Sequence, residues 1–102
     1  MASNISTSLI ISTYNRSDAL EICVKSVLRQ SLLPDEIIIA DDGSKEDTRE
    51  LIHQLAASSE VPIIHVWHED LGFRLASIRN KAIAKASKEY IIQIDGDIVL
   101  HK

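Results

Sequence analysis

The stretch Tyr90-Ile91-Ile92-Gln93-Ile94-Asp95-Gly96-Asp97 decides the fold class, because a short apolar run stops abruptly at two carboxylates that flank a glycine. Near-continuous apolar segments of this length are typical of strands buried in a parallel sheet. Open α/β sheets bind ligands just beyond the carboxyl ends of such strands, so we expect Asp95 and Asp97 at a ligand site. A solvated turn after an edge strand is the alternative, since Asp and Gly are common turn residues.

Two carboxylates at a strand end suit a hard divalent cation. One Asp can bind Mg²⁺ or Mn²⁺ while waters and substrate phosphates complete the octahedron. Gly96 has no Cβ, so a bulky phosphorylated ligand can approach the backbone closely. The sequence therefore predicts Asp97 and Asp95 as candidate metal ligands.

Apolar runs alternate with amphipathic segments along the rest of the chain. The predicted strands are 8–13, 36–40, 63–67 and 90–95, and the predicted helices are 19–30, 44–57 and 75–86. We expect Ser17 or Asp18 to cap the first helix, and Ser44 with Asp47 to form a capping box on the second. Strict alternation of strands and helices implies βαβ units, right-handed crossovers and a parallel sheet.

The third predicted helix carries five apolar residues inward. Its inward-facing positions are expected to be Ala76, Ile78, Ala82, Ile83 and Ala86. Arg79 and Asn80 are left in the early turns of this helix.

Composition limits the possible functions. With 102 residues, 45% hydrophobic and 25% charged, the chain fits a single α/β domain. A net charge of -4 without a basic run argues against nucleic acid or an anionic membrane surface as the main partner. The single Cys23 allows no internal disulfide and is expected in the core, and no apolar run approaches the ~20 residues of a membrane span. We therefore expect a soluble, cytoplasmic domain.

Several other chemistries lack the residues they need. Gly43, Gly72 and Gly96 are too far apart for a dinucleotide-binding G-x-G-x-x-G motif or for a phosphate-binding loop. His65 and His68 are three positions apart, a spacing that places side chains on opposite faces of a strand. No Cys or second His pair completes a zinc site around them.

Four segments, in this order, carry a family resemblance. They are Ser12-Thr13-Tyr14-Asn15-Arg16, Asp41-Asp42-Gly43-Ser44, the run from Gly72-Phe73-Arg74 through Arg79-Asn80 to Ala82-Ile83, and Asp95-Gly96-Asp97. Together they resemble family 2 glycosyltransferases of the GT-A fold. The Gly-Phe-Arg segment is similar to bacterial polysaccharide-synthesising members such as chondroitin-polymerase-like enzymes. The resemblance spans essentially the whole chain and corresponds to the first half of the family's catalytic domain.

The resemblance implies a fold and an activity. The fold would be a Rossmann-like parallel sheet of order 3-2-1-4, the N-terminal half of a GT-A domain. The activity would be binding of a nucleotide-diphosphate sugar, expected to be a UDP-sugar, for transfer to a saccharide acceptor in polysaccharide or cell-surface glycan synthesis. The general base is expected in the other half, so we assign no catalytic residue and expect no transfer by this chain alone. A non-catalytic nucleotide-binding module is the alternative.

The resemblance also implies a set of site residues. Those that would bind the nucleotide sugar are Thr13, Tyr14, Asn15, Asp42, Arg79, Asp95 and Gly96. Within this set, Thr13 and Tyr14 would lie around the base and ribose, and Asp42 would accept a hydrogen bond from the uracil imide. Arg79 would reach the base or the diphosphate. Asp95 would bind ribose or a metal-bound water, and Asp97 would coordinate Mn²⁺ or Mg²⁺ directly. A turn role for Asp41 and a solvated position for Arg79 are the alternatives.

The last strand carries an expectation about assembly. In the GT-A arrangement this strand is central, with a strand from the second half on its outer side. Here the outer edge of residues 90–95 would be open, and neither Pro nor Lys interrupts it. Because an open apolar edge is a template for pairing, we expect self-association, most simply as a two-fold dimer.

Overall fold

Four strands and three helices alternate in the computed structural model, which describes residues 6–69 and 75–96. The strands are β1 (Thr7–Thr13), β2 (Glu36–Asp41), β3 (Ile63–Trp67) and β4 (Tyr90–Asp95). The helices are α1 (Ser17–Leu28), α2 (Glu46–Ser58) and α3 (Leu75–Lys85). Each predicted element is present, with bounds that differ from prediction by at most one residue in the strands and by at most two in the helices.

All strand pairs are parallel, and the sheet has the order β3-β2-β1-β4. This confirms the predicted sheet and its order of 3-2-1-4. The register pairs Thr13 with Asp41, Asp41 with Trp67, and Ser12 with Asp95. The carboxyl ends of all four strands therefore lie along one edge of the sheet.

The core has two unequal parts, one on each face of the sheet. Alternate residues of β1 and β2 point to opposite faces, so Ile11 and Ile39 pack with α1 and α2, whereas Ile10 and Ile38 pack with α3. Each fully buried side chain of this size contributes about 1.5–3 kcal/mol. Cys23 is buried on the larger side, as predicted.

Neither predicted helix cap forms among the described residues. The N-cap positions are Arg16 for α1 and Lys45 for α2, and neither makes a side-chain capping bond. The Ser17 hydroxyl instead lies 3.4 Å from an Asp47 carboxylate oxygen, and the Ser44 hydroxyl accepts a bond from another loop. These hydroxyls are engaged by tertiary contacts, which override the local capping pattern.

A buried glutamate joins three segments at the amino end of the sheet. Glu36 accepts bonds from the Ser8 hydroxyl at 2.6 Å, the Ser87 N–H at 2.9 Å and the Ser87 hydroxyl at 3.0 Å. Burial raises the pKa of Glu36, whereas the bonds from Ser8 and Ser87 and the charge of Lys88 lower it. The lowering effects are larger in sum, so the pKa lies below its ordinary 4.5. Glu36 therefore ties β2 to β1 and to the segment that enters β4.

Strand β4 is the least covered strand of the sheet. Within the described residues the only strand that pairs with it is β1. Tyr90, Ile91 and Ile92 are exposed, while Ile94 is half-buried and packs against the α1 side of the core. Within residues 6–69 and 75–96, the helices are too short or too polar to cross a membrane.

Candidate functional site

Three backbone hydrogen bonds extend the strand ladders beyond their last paired residues. Asp42 N donates to Thr13 O at 3.0 Å, and Gly96 N donates to Ser12 O at 2.8 Å. His68 N donates to Asp41 O at 3.4 Å. These bonds hold the first residues after β2, β3 and β4 in a row along the carboxyl edge of the sheet.

Gly96 is buried where β4 ends against β1. A Cβ added at this position would lie 2.7 Å from the carbonyl oxygen of Ser12, closer than a real Cβ can approach. Only glycine therefore lets the chain leave β4 this close to β1. The close approach also brings Asp95 next to Ser12, whose hydroxyl donates to Asp95 Oδ1 at 3.1 Å.

Asn15 joins the loop after β1 to the turn after β2. Its backbone has a φ of 48°, in the left-handed region that Asn tolerates better than most residues. Its N–H donates to the Ser44 hydroxyl at 2.7 Å, and its side-chain oxygen accepts from Lys45 N at 2.9 Å. Asn15 thus shapes the loop that carries Thr13 and Tyr14.

The two consecutive aspartates after β2 have different partners. Asp41 Oδ1 accepts a bond from Ser44 N at 2.9 Å, and Asp41 Oδ2 lies 2.8 Å from His65 Nε2. Asp41 is therefore a turn residue, which is the alternative left open above. Asp42 Oδ1 lies 2.5 Å from His68 Nε2, and both of these side chains are buried.

Arg79 and Asp95 form an ion pair across the opening between α3 and β4. Arg79 Nη2 lies 2.9 Å from Asp95 Oδ1, and the side chains are 36% and 59% exposed. Pairs this exposed contribute only about 0–1 kcal/mol. The pair can therefore open toward a ligand at little cost. A cavity of about 310 Å³ lies here, lined by Arg79, Gln93, Ile94 and Asp95.

A larger cleft of about 460 Å³ lies at the start of α2, lined by Ser44, Lys45, Glu46, Arg49, His65 and Trp67. The Trp67 indole N–H donates to the Ser44 carbonyl at 3.1 Å, which fixes the ring at the rim. The residues implied by the resemblance do not line this cleft. We therefore place the candidate site by its side chains, at the smaller cavity and the adjoining strand ends.

The strand ends offer few side-chain ligands for a divalent cation among the described residues. Within residues 6–69 and 75–96, no three His, Cys, Asp or Glu side chains come together in a metal-binding group. Asp95 presents an exposed carboxylate, which is enough for Mg²⁺ or Mn²⁺ when phosphates and waters supply the other ligands. Asp97 lies outside the described residues. The residues present therefore fit a cation that arrives with a phosphorylated ligand.

Comparison with known proteins identifies the family. Residues 8–102 match the family model described as Glycosyl transferase family 2. The chain belongs to glycosyl transferase family 2. Chondroitin synthase from Escherichia coli is 35% identical over 92 residues, which cover 89% of this chain and 13% of that protein. Validoxylamine A glucosyltransferase from Streptomyces hygroscopicus subsp. limoneus is 33% identical over 94 residues, covering 90% of this chain and 20% of that protein. The family 2 chain thus spans a fifth or less of these two relatives.

A solved structure shares the fold of this family 2 chain. TarS 1-349 from S. aureus superposes with a TM-score of 0.72 at 22% sequence identity, covering 91% of this chain and 28% of that one. The same fragment in complex with UDP has a TM-score of 0.71. This likeness confirms the GT-A fold predicted from the sequence.

The structure brings most of the residues implied by the resemblance to one edge of this family 2 chain. Thr13 and Asp42 share a backbone hydrogen bond, and Arg79 and Asp95 share an ion pair. Tyr14 and Asn15 are exposed in the adjoining loop. Sequence reasoning missed the contacts that His65 and His68 make with the aspartates. In the observed register His65 lies beside Ile39, two residues before Asp41. That register would have indicated the contact, but periodicity alone does not give it.

Proposed function

We propose that this family 2 chain binds a nucleotide-diphosphate sugar, a UDP-sugar, at the carboxyl edge of its sheet. In the whole enzyme, the glycosyl group would pass to a saccharide acceptor in polysaccharide or cell-surface glycan synthesis. The observation that carries the proposal is the meeting of Thr13, Asp42, Arg79 and Asp95 along one edge of a parallel sheet. The enzyme names of the two relatives and the UDP complex of TarS support it.

The base, the ribose and the diphosphate of the donor each have a matching group in the proposal. Asp42 would accept the imide N–H of uracil, with Thr13 and Tyr14 around the base and ribose. Arg79 would exchange its Asp95 partner for a diphosphate oxygen, because an exposed ion pair costs little to open. A guanidinium also matches phosphate geometry, with two parallel N–H donors.

Asp95 and Asp97 would hold Mn²⁺ or Mg²⁺ in the same proposal. When bound, the ion would neutralise charge on the diphosphate leaving group. Two contacts orient the Asp95 carboxylate. The Ser12 hydroxyl donates to Asp95 Oδ1, and Gly96 keeps the strand end close to β1. Two oxygens of one carboxylate can serve Ser12 and a cation together.

Calorimetric titration of the chain with UDP tests the proposal. We expect weak binding that strengthens when Mn²⁺ is added, because a cation lowers the cost of placing the diphosphate beside Asp95. Asp97→Ala should abolish the gain from Mn²⁺ while leaving the weaker metal-independent binding in place.

Glu60→Ala is the matched control, since it removes an exposed carboxylate before β3, at the opposite edge of the sheet. It should leave UDP binding and its response to Mn²⁺ unchanged. Binding that ignores both Mn²⁺ and Asp97→Ala would overturn the metal assignment. Absence of UDP binding under all conditions would overturn the proposed function itself.

We also propose that the 102-residue chain self-associates through the outer edge of β4. Within the described residues this edge is open, and the exposed side chains beside it are Tyr90, Ile91 and Ile92. Backbone N–H and C=O groups along an open edge pair readily with another strand. A second copy of β4 offers the same apolar surface around a two-fold axis.

Sedimentation at micromolar concentrations tests this assembly, with Ile92→Lys as the main variant. Ile92 is 51% exposed, so a lysine there should weaken the dimer without unfolding the monomer. Ile94→Lys should destabilise the fold instead, because Ile94 packs against the core. Ile22→Lys places the same charge at an exposed position of α1 and serves as the control. A stable wild-type monomer would contradict the proposal.

A further inference from the structure

Three side chains form a continuous connection from helix α3 to the end of β2. Lys81 Nζ lies 3.0 Å from His68 Nδ1, and His68 Nε2 lies 2.5 Å from Asp42 Oδ1. His68 is 7% exposed and Asp42 is 2% exposed, whereas Lys81 lies on the exposed face of its helix. The connection thus begins at the surface and ends at the buried carboxylate of Asp42. In the proposed function this carboxylate contacts the uracil base.

The order of donors along this connection follows from the chemistry of lysine. An ammonium group can only donate hydrogen bonds, so Nδ1 of His68 must accept the bond from Lys81. A neutral imidazole that accepts at Nδ1 carries its proton on Nε2. His68 therefore donates from Nε2 to Asp42 Oδ1, and Lys81 satisfies the remaining nitrogen of the same tautomer.

The same contacts keep Asp42 a hydrogen-bond acceptor. A buried carboxylate is costly unless it is hydrogen-bonded, and the Nε2–H of His68 supplies a short bond. The Lys81 ammonium adds a positive charge one ring away. Uracil presents an imide N–H at the ring position where cytosine presents an acceptor, so an ionised and fixed carboxylate favours uracil over cytosine.

Within residues 6–69 and 75–96, the neighbouring aspartate and histidine form no similar connection to a third side chain. Asp41 receives the Ser44 N–H on one oxygen and His65 on the other, so both contacts shape the turn after β2. His65 also lines the larger cleft beside α2, away from Arg79 and Asp95. The pair that continues to Lys81 is Asp42 with His68.

We propose that Lys81 and His68 are positioning residues that orient the Asp42 carboxylate and thereby set the preference for a uracil base. This inference rests on the proposed function, because Asp42 must meet the base for its orientation to matter. It adds two side chains, and a role for each, to the residues implied by the family resemblance.

Nitrogen NMR of the histidine rings tests the first half of the inference without any nucleotide. At neutral pH the wild-type chain should show His68 neutral, with its proton on Nε2. Lys81→Met should shift the Nδ1 signal of His68, because that nitrogen loses the ammonium donor. Lys85→Met, one turn further along α3 and also exposed, should leave the His68 signals unchanged. A doubly protonated ring, or a His68 spectrum that Lys81→Met does not alter, would overturn the inference.

Binding of UDP and CDP tests the second half. Lys81→Met should reduce the preference for UDP over CDP by about tenfold, the effect of losing one charge-assisted bond. His68→Ala should lower UDP affinity by a similar factor, and His68→Gln should recover much of it because its amide can still donate to Asp42. Lys81 is exposed, so its variant should fold even if His68→Ala does not.

The two possible failures are distinguishable. A wild-type chain that binds neither nucleotide would overturn the proposed function. A wild-type chain that binds UDP in preference to CDP, together with a Lys81→Met variant that keeps the full preference, would overturn the inference alone. An equal loss of affinity for both nucleotides in Lys81→Met would also overturn it, because that pattern indicates general destabilisation and not base selection.

Discussion

Gly96→Ala should destabilise the chain by about 1–3 kcal/mol, the usual cost of forcing an extra methyl group into a closely packed position. The new Cβ would lie 2.7 Å from the Ser12 carbonyl oxygen, which is a backbone atom of β1. That oxygen also accepts the 2.8 Å bond from Gly96 N, so relief of the clash requires the end of β4 to move away from β1. The movement would separate Asp95 from the Ser12 hydroxyl and weaken metal-dependent UDP binding.

Thermal unfolding and UDP titration measure the two effects of Gly96→Ala together. In a domain of this size, the melting temperature should fall by about 4–8 °C for each kcal/mol lost. Gln93→Thr changes an exposed residue of the same strand to a good strand former, so its melting temperature should stay near that of the wild type. An unchanged melting temperature in Gly96→Ala would show that the strand end tolerates a side chain and would remove the argument for close approach.

Glu36→Ala should lower the free energy of unfolding by about 1–3 kcal/mol, because it removes the acceptor for the buried Ser8 hydroxyl. It should also loosen the segment before β4, since the N–H and hydroxyl of Ser87 lose the same acceptor. Chemical denaturation at neutral pH measures the loss. A variant as stable as the wild type would mean that water replaces the carboxylate without cost.

The charge of Glu36 adds a dependence on pH. Its pKa in the folded chain lies below the ordinary 4.5, so near that pH the unfolded chain binds a proton more readily than the folded chain does. The stabilisation is therefore complete above about pH 4.5 and is lost as the pH falls through the lower folded value. Glu36→Gln should be less stable than the wild type at pH 7, and the difference should shrink as the pH falls below 4.5. Glu60→Gln, at an exposed position, should have the same stability as the wild type at each pH. A stability difference between Glu36→Gln and the wild type that does not change with pH would refute the charge argument.

The positions of the strand ends were predictable because they depend on local pattern and parallel topology. Apolar runs that end in Asp41 or Asp95 predict where each strand stops, and parallel pairing brings those ends to one edge. The order of the strands came from the family resemblance, which carries information on long-range pairing that periodicity lacks. The structure agrees with both.

The partners of the buried carboxylates could not be predicted in the same way. Glu36 meets Ser8 across 28 residues and Ser87 across 51, so the contacts depend on strand register and on where α3 ends. Similarly, His68 meets Asp42 across 26 residues and reaches Lys81 on a third element. No local pattern marks such contacts in a single sequence.

The prediction for α3 was partly wrong for a geometric reason. Ile78 and Ala82 are buried, one turn apart on the same face, as expected. Ala76 and Ile83 are exposed, because two- and five-residue offsets from Ile78 place them roughly 140–160° around the helix at 3.6 residues per turn. The apolar character of these residues suggested a wider buried face than the helix has.

The position of β4 at the edge of the sheet links affinity to a conformational equilibrium. Asp42 follows an inner strand of the sheet, whereas Asp95 and Gly96 are held by a strand that pairs with β1 alone among the described residues. Detaching an edge strand costs less free energy than unfolding the whole domain. A ligand that contacts Asp42 and Asp95 together binds only molecules in which β4 is paired with β1. Its apparent dissociation constant is therefore the intrinsic constant divided by the fraction of molecules in that paired state. Contacts that secure β4 far from the ligand, such as those of Glu36 with Ser87, therefore also set how tightly the ligand is held.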